Sequence, residues 1–279
     1  MPGAPTIREA LDAAQQATSR IEARVLLREV LNQSDAWLLA HDDELLTADQ
    51  AQQYVALVVR RVAGEPIAYI TGHREFQGRE FFVSPSVLIP RPETELLVEL
   101  ALQRLPAGAS ARVLDLGAGS GCIGITIAAE RPQVQVTLVD ASKDALKIAQ
   151  VNARQWAPAN TTLLHSDWYA AIGEERYDLI VANPPYVAEG DAHLQQGDLR
   201  FEPRTALAAG VDGLSDLSRI IAQAPQHLRA GGWLLLEHGF DQAVACAWLL
   251  EAAGFQGIVN VPDLAGMPRV SGGHLGADF

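Results

Sequence analysis

The tetrapeptide Asn-Pro-Pro-Tyr occupies positions 183–186, directly after a hydrophobic run, Asp178–Ala182, that is typical of a buried strand. A planar amide or amino group carries two N–H donors, and the side-chain oxygen of Asn183 and the main-chain oxygen of Pro184 can accept both of them. Proline fixes its own φ and restricts the preceding residue, so both acceptors are rigidly placed. Tyr186 can cover the held group and face the positive charge that develops on an attacked nitrogen. The pattern predicts a catalytic element for a planar NH₂.

A rigid turn without chemistry is the competing interpretation of these four residues. Such a tetrapeptide arises by chance in roughly one chain in a thousand of this length, so coincidence is disfavoured. We take Asn183, Pro184 and Tyr186 as candidate catalytic residues, and these three together with Pro185 as the candidate substrate site. We also expect the strand that precedes them to lie beside the strand that precedes the glycine-rich loop.

The glycine-rich loop follows a second predicted strand, Arg112–Leu116, and opens a helix, Cys122–Glu130. Glycine lets the backbone turn sharply and approach a ligand where any Cβ would collide. The stretch Gly119–Gly124 also matches the dinucleotide fingerprint. In proteins that carry this fingerprint, however, its first glycine directly follows the strand. In this chain Asp115 stands at the strand end instead. A negatively charged carboxylate there suits a ligand that carries an ammonium group better than it suits a ligand that carries a pyrophosphate. The candidate cofactor-binding residues of the loop are Gly117, Ala118, Gly119, Ser120 and Gly121.

Acidic and aromatic residues follow the next two predicted strands. Asp140 ends the strand after the loop, where a carboxylate can accept hydrogen bonds from both ribose hydroxyls of a nucleoside. Its alternative role is the N-cap of the following helix. Asp167 can recognise an adenine and Trp168 can stack on it, although Trp168 is equally compatible with core packing.

From residue 111 onwards, predicted strands alternate with helices. This alternation predicts an α/β fold with a mostly parallel sheet, helices on both faces, and a ligand at the carboxyl ends of the strands. The predicted strands are Arg112–Leu116, Gln135–Val139, Thr161–Leu164, Asp178–Ala182, Gly232–Glu237 and Gly257–Val261.

The residues before this region predict a helical bundle followed by a hairpin. Ser19 is the expected N-cap of a helix, Arg20–Leu31, with one apolar face that contains Ile21, Val25, Leu27 (or Leu26) and Val30 or Leu31. A β-like stretch, Ile67–Gly72, precedes a hairpin that turns at Gly78. The predicted organisation is a helical domain at 1–74, a β-hairpin linker at 75–90 and an α/β domain at 91–279. The residues alone leave open whether the helical domain is a folded cap or recruits a substrate.

Charge and composition exclude several classes of protein. The net charge is −13, and residues 1–75 hold 7 basic and 11 acidic side chains. A protein that grips nucleic acid normally neutralises several phosphates with Lys and Arg, so we expect no nucleic-acid partner. No long apolar run or basic leader followed by an apolar segment occurs, which predicts a cytoplasmic protein away from membranes. Cys122 and Cys246 have no metal-ligand or disulfide spacing, so no metal is expected.

Taken together, these motifs resemble the bacterial release factor glutamine N5-methyltransferases, and the resemblance covers essentially the whole chain. The matching segments are Arg20–Ala23, Gly64–Gly72, Leu88–Glu95, Asp115–Gly121, Asp167–Trp168, Asn183–Tyr186, Phe201–Arg204 and Leu236–Gly239. The segment Gly266–Gly273 departs from the family's more polar version, so no site is placed there.

The resemblance implies a seven-stranded, Rossmann-like methyltransferase domain that uses S-adenosyl-L-methionine, preceded by a helical domain and a β-hairpin linker. It implies methylation of the glutamine in the Gly-Gly-Gln motif of class 1 peptide-chain release factors, with S-adenosyl-L-homocysteine as the product. Apart from the resemblance, we expect a monomeric enzyme. Gly117–Gly121, Asp140, Trp168 and Asn183 would then line the cofactor site, and Asn183–Tyr186 would hold the substrate amide.

Two other functions use part of the same chemistry. An adenine-N6 nucleic-acid methyltransferase also holds a planar NH₂, but it must grip and usually flip a nucleotide, which calls for basic surface. A non-catalytic scaffold that binds S-adenosylmethionine would have no need of two aimed acceptors. Glu202 and His238 can line the site, although a structural role is the simpler interpretation for both.

Overall fold

The computed structural model describes residues 4–276, which form ten α-helices and nine β-strands. Residues 1–3 and 277–279, the outer ends of the predicted domains at 1–74 and 91–279, lie outside the described residues. The helices are α1 (Ile7–Ala14), α2 (Arg20–Leu31), α3 (Asp35–Ala40), α4 (Ala48–Val62), α5 (Ile67–Thr71), α6 (Glu95–Arg104), α7 (Cys122–Glu130), α8 (Lys143–Trp156), α9 (Ser215–His227) and α10 (Ala243–Ala252). The strands are β1 (His73–Phe76), β2 (Arg79–Phe82), β3 (Arg112–Leu116), β4 (Gln135–Asp140), β5 (Thr161–His165), β6 (Tyr177–Ala182), β7 (Leu228–Glu237), β8 (Gln256–Pro262) and β9 (Pro268–His274).

The chain divides into two compact units. One contains the N-terminal residues up to His73 together with Gly197–Phe201, and the other contains Arg74–Gln196 and the residues from Glu202 onwards. The short segment Gly197–Phe201 thus groups with the N-terminal helices, although it lies inside the predicted domain at 91–279. The functional boundaries at 1–74, 75–90 and 91–279 stay predictions. No helix within residues 4–276 is both long enough and apolar enough to cross a membrane.

Helix α2 in the N-terminal unit begins where the sequence predicts. Ser19 is its N-cap and forms a capping box with Glu22, which satisfies donors at the start of the helix. The predicted apolar face is wrong in including Ile21, because this side chain is 76% exposed. The buried face instead contains Ala23, Leu26 and Leu27. The small Ala23 lets α4 approach closely enough for the Tyr54 hydroxyl to donate to its carbonyl oxygen.

The β-like stretch predicted at Ile67–Gly72 is wrong, because residues Ile67–Thr71 form helix α5. Pro66 suits the start of a helix, and Gly72 ends it in the left-handed region with φ 81°, so these two residues outweigh the β-branched composition. The predicted hairpin turn at Gly78 is confirmed. Gln77 and Gly78 both have positive φ, the conformation of a tight two-residue hairpin turn between β1 and β2.

The second unit contains a seven-stranded sheet in the order β5-β4-β3-β6-β7-β9-β8. The pairs from β5 to β7 are parallel, and β9 pairs antiparallel with both β7 and β8. This arrangement confirms the α/β fold and all six predicted strands, with ends shifted by a few residues. Strand β9 was not predicted because its sequence contains two glycines. A Cβ at Gly272 would lie 2.4 Å from the Leu234 carbonyl oxygen, so glycine is required at this close approach.

The register of the parallel strands brings three strand ends together. Leu116 at the end of β3 is aligned with Ala182 of β6 on one side and with Val139 of β4 on the other. This confirms that the strand before Asn183 lies beside the strand before the glycine-rich loop. The sheet reverses its strand order between β3 and β6, which is where ligands bind in open α/β sheets.

Asn152 on α8 joins the hairpin to the glycine-rich loop. Its side-chain oxygen accepts from the Phe82 N–H at 2.8 Å, and its amide nitrogen donates to the carbonyl oxygens of Phe82 and Ser120 at 2.9 and 2.8 Å. The side chain is fully buried, so each lost partner would remain without water. One amide thus anchors both the second hairpin strand and the loop.

We predict that Asn152→Ala lowers the free energy of unfolding by roughly 2–3 kcal/mol, because it leaves three backbone groups without their hydrogen-bond partner. Urea unfolding followed by circular dichroism measures this loss. Gln150→Ala is the control, since Gln150 is an exposed residue of the same helix, and should stay within about 0.5 kcal/mol of the wild type. Equal stabilities of the two variants would show that the anchor contributes nothing.

Candidate functional site

A cleft of about 540 Å³ lies at the carboxyl ends of the parallel strands in the second unit. Nine of the sequence-predicted site residues line it: Gly117, Ala118, Gly119, Ser120, Asp140, Asp167, Trp168, Asn183 and Pro185. Gly121, Pro184 and Tyr186 are not on its lining. The fold therefore brings the glycine-rich loop and the Asn-Pro-Pro-Tyr turn to one cavity, with three of the predicted residues behind the surface.

The glycine-rich loop has the backbone that its sequence predicts. Gly117, Gly119 and Gly121 all have positive φ, between 56° and 81°. Gly121 begins helix α7, and a Cβ there would lie 2.4 Å from the Ile125 side chain. Gly121 therefore shapes the turn, whereas Gly117 and Gly119 face the cleft.

Asp115 holds the loop from behind. Its carboxylate accepts from the Gly124 N–H at 2.9 Å, and the side chain is fully buried. Burial raises the pKa of Asp115 to about 7. Because Asp115 is not on the cleft lining, its predicted suitability for an ammonium group of the ligand is not supported. The side chain instead joins the end of β3 to α7.

Asp140 connects the loop to the next helix. One oxygen accepts from the Gly119 N–H at 2.8 Å and the other from the Ser142 N–H at 2.7 Å. Ser142, not Asp140, is the N-cap of α8, so the capping alternative for Asp140 is wrong. Burial raises the pKa of Asp140, and the two backbone donors oppose this shift. Each carboxylate oxygen retains a lone pair, so Asp140 can still accept from a ribose hydroxyl.

Helix α9 supplies two cleft residues that the sequence did not single out. Arg219 pairs with Asp167 at 2.9 Å, and Asp216 accepts from the Trp168 indole N–H at 3.2 Å. Trp168 has φ 47° and both lines the cleft and packs against the core, so its two predicted roles coexist. Asp216 and Arg219 are three positions apart on a predicted helix, a spacing that places them on one face but does not say which face meets the cleft.

Asn183 is held in one orientation. Its amide nitrogen donates to the Thr94 hydroxyl oxygen at 3.2 Å. The side-chain oxygen of Asn183 is therefore the group that can accept from a ligand. Thr94 also lines the cleft and is a third residue that sequence reasoning missed.

Tyr186 is fixed from two sides behind the cleft. Its hydroxyl donates to Glu237 at 3.3 Å, and its carbonyl oxygen accepts from Gln242 at 3.0 Å. Burial raises the pKa of the Tyr186 hydroxyl, so the phenol stays protonated. Burial also raises the pKa of Glu237 to about 7. Neither Glu237 nor Gln242 was a sequence-predicted site residue.

Glu202 and His238 have structural partners. The buried carboxylate of Glu202 pairs with Arg91 at 2.6 Å. The His238 ring lies 2.7 Å from the Ser271 hydroxyl and 2.8 Å from the Gly239 carbonyl oxygen, and burial lowers its pKa. Neither residue is on the cleft lining, which favours the structural interpretation of both.

Comparisons with known proteins cover both parts of the chain. Residues 6–72 match the PrmC N-terminal domain family, and residues 93–199 match the Methyltransferase small domain family. The chain is 50% identical over 263 residues to a release factor glutamine methyltransferase of Bordetella pertussis, covering 94% of this chain and 97% of that protein. It is 45% identical over 269 residues to a protein of the same name from Escherichia coli strain K12, covering 96% of this chain and 97% of that one.

A solved structure agrees with the fold. The Thermus thermophilus 16S rRNA N2 G1207 methyltransferase, in complex with AdoMet and guanosine, aligns with a TM-score of 0.53 and 24% identity. The alignment covers 73% of this chain and 49% of that one. At this identity the likeness concerns the arrangement of helices and strands alone.

We predict that Asp140→Ala weakens the binding of S-adenosylhomocysteine by roughly 10- to 100-fold, because it removes the ribose acceptor and releases the Gly119 N–H. Isothermal titration calorimetry measures this affinity. Glu174→Ala, which removes an exposed carboxylate outside the cleft lining, is the control and should bind like the wild type. Unchanged affinity in Asp140→Ala would leave this residue with a purely structural role.

Proposed function

Because the chain belongs to the release factor glutamine methyltransferases, we propose that it transfers a methyl group to the side-chain amide nitrogen (N5) of the glutamine in the Gly-Gly-Gln motif of class 1 release factors. The observation that carries this proposal is the orientation of Asn183. Its amide nitrogen is engaged by Thr94 while the residue lines the cleft, so its oxygen is the acceptor for a substrate N–H.

The cleft suits S-adenosylmethionine, the cofactor of these enzymes, which supplies an electrophilic methyl group on a sulfonium. Asp140 has lone pairs for the ribose hydroxyls at the end of β4. Trp168 lines the cleft beside Asp167, where an adenine can be stacked and recognised. Gly117 and Gly119 leave room for close approach of the backbone.

An amide nitrogen is a poor nucleophile because its lone pair is delocalised into the carbonyl group. Asn183 and the carbonyl oxygen of Pro184 hold its two N–H groups, which directs the nitrogen towards the methyl group. Positioning of this kind supplies a large part of an enzyme's rate enhancement when the reacting atoms are aligned. The same two oxygens stabilise the positive charge that develops on the nitrogen. The methylated nitrogen then loses one of its N–H protons, which an amide cation gives up readily to water, so a strong general base is not required by this arrangement.

Pro184, Pro185 and Tyr186 have different parts in this proposal. Pro184 is buried and stiffens the turn, and Pro185 forms part of the cleft wall. Tyr186 lies behind the cleft lining, anchored by Glu237 and Gln242. In this proposal its ring faces the glutamine amide from behind the turn that Asn183 and Pro184 form.

The helical residues 1–74 recruit the release factor in this proposal. Val55, Val59 and Val62 lie on one face of α4 and are 56–62% exposed. Apolar side chains grouped in this way are typical of a surface that a protein partner covers. Residues 6–72 also match a family named for this N-terminal domain.

The remaining features of the proposal are a monomeric enzyme, a cytoplasmic location and no nucleic-acid partner. Cys122 and Cys246 are free thiols, which suits the reducing compartment in which translation terminates. The net charge of −13 disfavours a grip on phosphates. Labelled S-adenosylmethionine offered with release factor or with adenine-containing DNA distinguishes the alternatives: label on DNA contradicts the proposal, and label on neither supports a scaffold.

We predict that Asn183→Ala reduces methyl transfer to release factor by roughly 10²- to 10³-fold, because one of two aimed acceptors is lost. Single-turnover transfer at saturating cofactor measures the effect, and thermal melting checks the fold. Gln155→Ala, which removes an exposed amide of α8 outside the cleft, is the control and should transfer at the wild-type rate. Near-normal transfer by Asn183→Ala would remove the acceptor role.

We predict that Val59→Asp raises the KM for intact release factor at least about tenfold, because it places a charge on the apolar face that the partner covers. The KM for a short Gly-Gly-Gln peptide should stay unchanged, since the peptide reaches only the cleft. Gln53→Asp adds the same charge to the opposite, exposed face of α4 and serves as the control. Equal KM values in the two variants would argue against recruitment by this face.

A further inference from the structure

Asn183 can serve as an acceptor in only one of its two amide orientations. The oxygen and the nitrogen of an asparagine side chain have nearly the same size, so sterics alone do not decide which one faces the cleft. A flipped Asn183 would present N–H donors to the N–H donors of the substrate. Some other group must therefore determine the orientation.

Thr94 is that group only if its own hydroxyl proton is directed away from Asn183. Its side chain is 2% exposed, and its oxygen accepts from the Asn183 amide nitrogen at 3.2 Å. A hydroxyl has a single proton to donate. If that proton pointed to Asn183 instead, the asparagine oxygen would turn towards Thr94.

Glu237 accounts for the direction of this proton. Ala182 of β6 is aligned with Leu236 of β7, so Asn183 and Glu237 leave the sheet side by side. The Thr94 side chain acts on the Glu237 carboxyl group by lowering its pKa, so it favours the charged form of this group. An ionised carboxylate only accepts hydrogen bonds, so a Thr94 proton directed towards Glu237 leaves the Thr94 oxygen able only to accept from Asn183.

The surroundings of Glu237 are not those of a group that serves stability alone. Its side chain is 1% exposed, and its Oε2 has no hydrogen-bond partner among residues 4–276. Its Oε1 accepts from the Tyr186 hydroxyl at 3.3 Å. A buried carboxylate with an unused oxygen is costly to keep, and an apolar residue in its place would avoid that cost. The same carboxylate thus contacts Tyr186 directly and reaches Asn183 through Thr94.

We propose that Thr94 and Glu237 are positioning residues for the methyl transfer, which orient the Asn183 oxygen towards the substrate amide and fix the ring of Tyr186. This inference rests on the proposed function. Neither residue contacts the reacting atoms, since each acts through Asn183 or Tyr186. Their effect is to present the acceptor before the substrate arrives, so that no rearrangement is needed during transfer.

The ionisation of Glu237 connects this network to pH. Burial raises the pKa of Glu237 to about 7, so the carboxylate forms as the pH rises through that value and is lost as the pH falls. A protonated Glu237 can donate to Thr94, which frees the hydroxyl proton of Thr94 to point at Asn183. The charged and titratable groups that face Glu237 are Arg269, Glu93, Tyr186 and Cys122. Burial raises the pKa of Cys122 to about 12, so this thiol does not titrate near neutrality.

The test compares Thr94→Val with Thr94→Ser. Valine keeps the shape of threonine and removes the hydroxyl, whereas serine keeps the hydroxyl. We expect Thr94→Val to lower kcat by roughly 10- to 100-fold while the affinity for S-adenosylhomocysteine stays within about threefold, and Thr94→Ser to recover most of the wild-type kcat. Equal loss in both variants, or a wild-type kcat in Thr94→Val, would overturn the inference.

Glu237→Gln provides a second and nearly isosteric variant. The wild-type kcat should fall as the pH decreases from about 8 to 6, and this dependence should be absent in Glu237→Gln, whose kcat should be low throughout. An identical pH profile in both proteins contradicts the inference. Methylation of release factor by the wild type is measured first. No methylation by the wild type would contradict the proposed function itself. Normal methylation by both the wild type and the variants would contradict only the positioning role of Thr94 and Glu237.

Discussion

The alignment of neighbouring strand ends is the constraint on which the rest of the structure depends. Leu116 is level with Val139 on one side and with Ala182 on the other, so the loops after β3, β4 and β6 leave the sheet at one edge. The strand order reverses there, which opens space between the loops. A cofactor loop, a ribose acceptor and an amide-binding turn share one cleft for this reason. A slip of one residue in β6 would turn its side chains to the other face and separate the turn from the loop.

Buried acids stabilise the loops that leave this edge. Asp115 accepts from the backbone of α7, Asp140 from the glycine-rich loop, and Glu237 from Tyr186. Burial raises the pKa of each of these carboxyl groups. The desolvation that causes these shifts opposes folding, and the backbone and hydroxyl donors offset part of it. The buried acids keep the loops at the cleft rigid, so the hydrogen-bond acceptors are held in place before a ligand binds.

The sequence predicted the architecture and most of the cleft, because both are encoded locally. Alternating strands and helices, the glycines and the Asn-Pro-Pro-Tyr turn can each be recognised within ten residues. Thr94, Arg219 and Glu237 were missed because their roles arise from pairing between distant segments: Thr94 is 89 residues from Asn183. The wrong predictions have physical causes as well. Helix α5 was taken as extended because the effect of Pro66 and Gly72 outweighs local β propensity. Ile21 was placed on the apolar face of α2, whereas the buried face contains Ala23, Leu26 and Leu27.

The central claim is that the Asn183 side-chain oxygen accepts a hydrogen bond from the planar NH₂ group of the substrate next to the cofactor loop. A crystal structure with S-adenosylhomocysteine and a Gly-Gly-Gln peptide tests it most directly. The account predicts that the glutamine amide nitrogen lies about 3 Å from the Asn183 side-chain oxygen and from the Pro184 carbonyl oxygen, and points at the cofactor sulfur. A glutamine amide bound elsewhere, with the Asn183 oxygen turned towards Thr94, would contradict it.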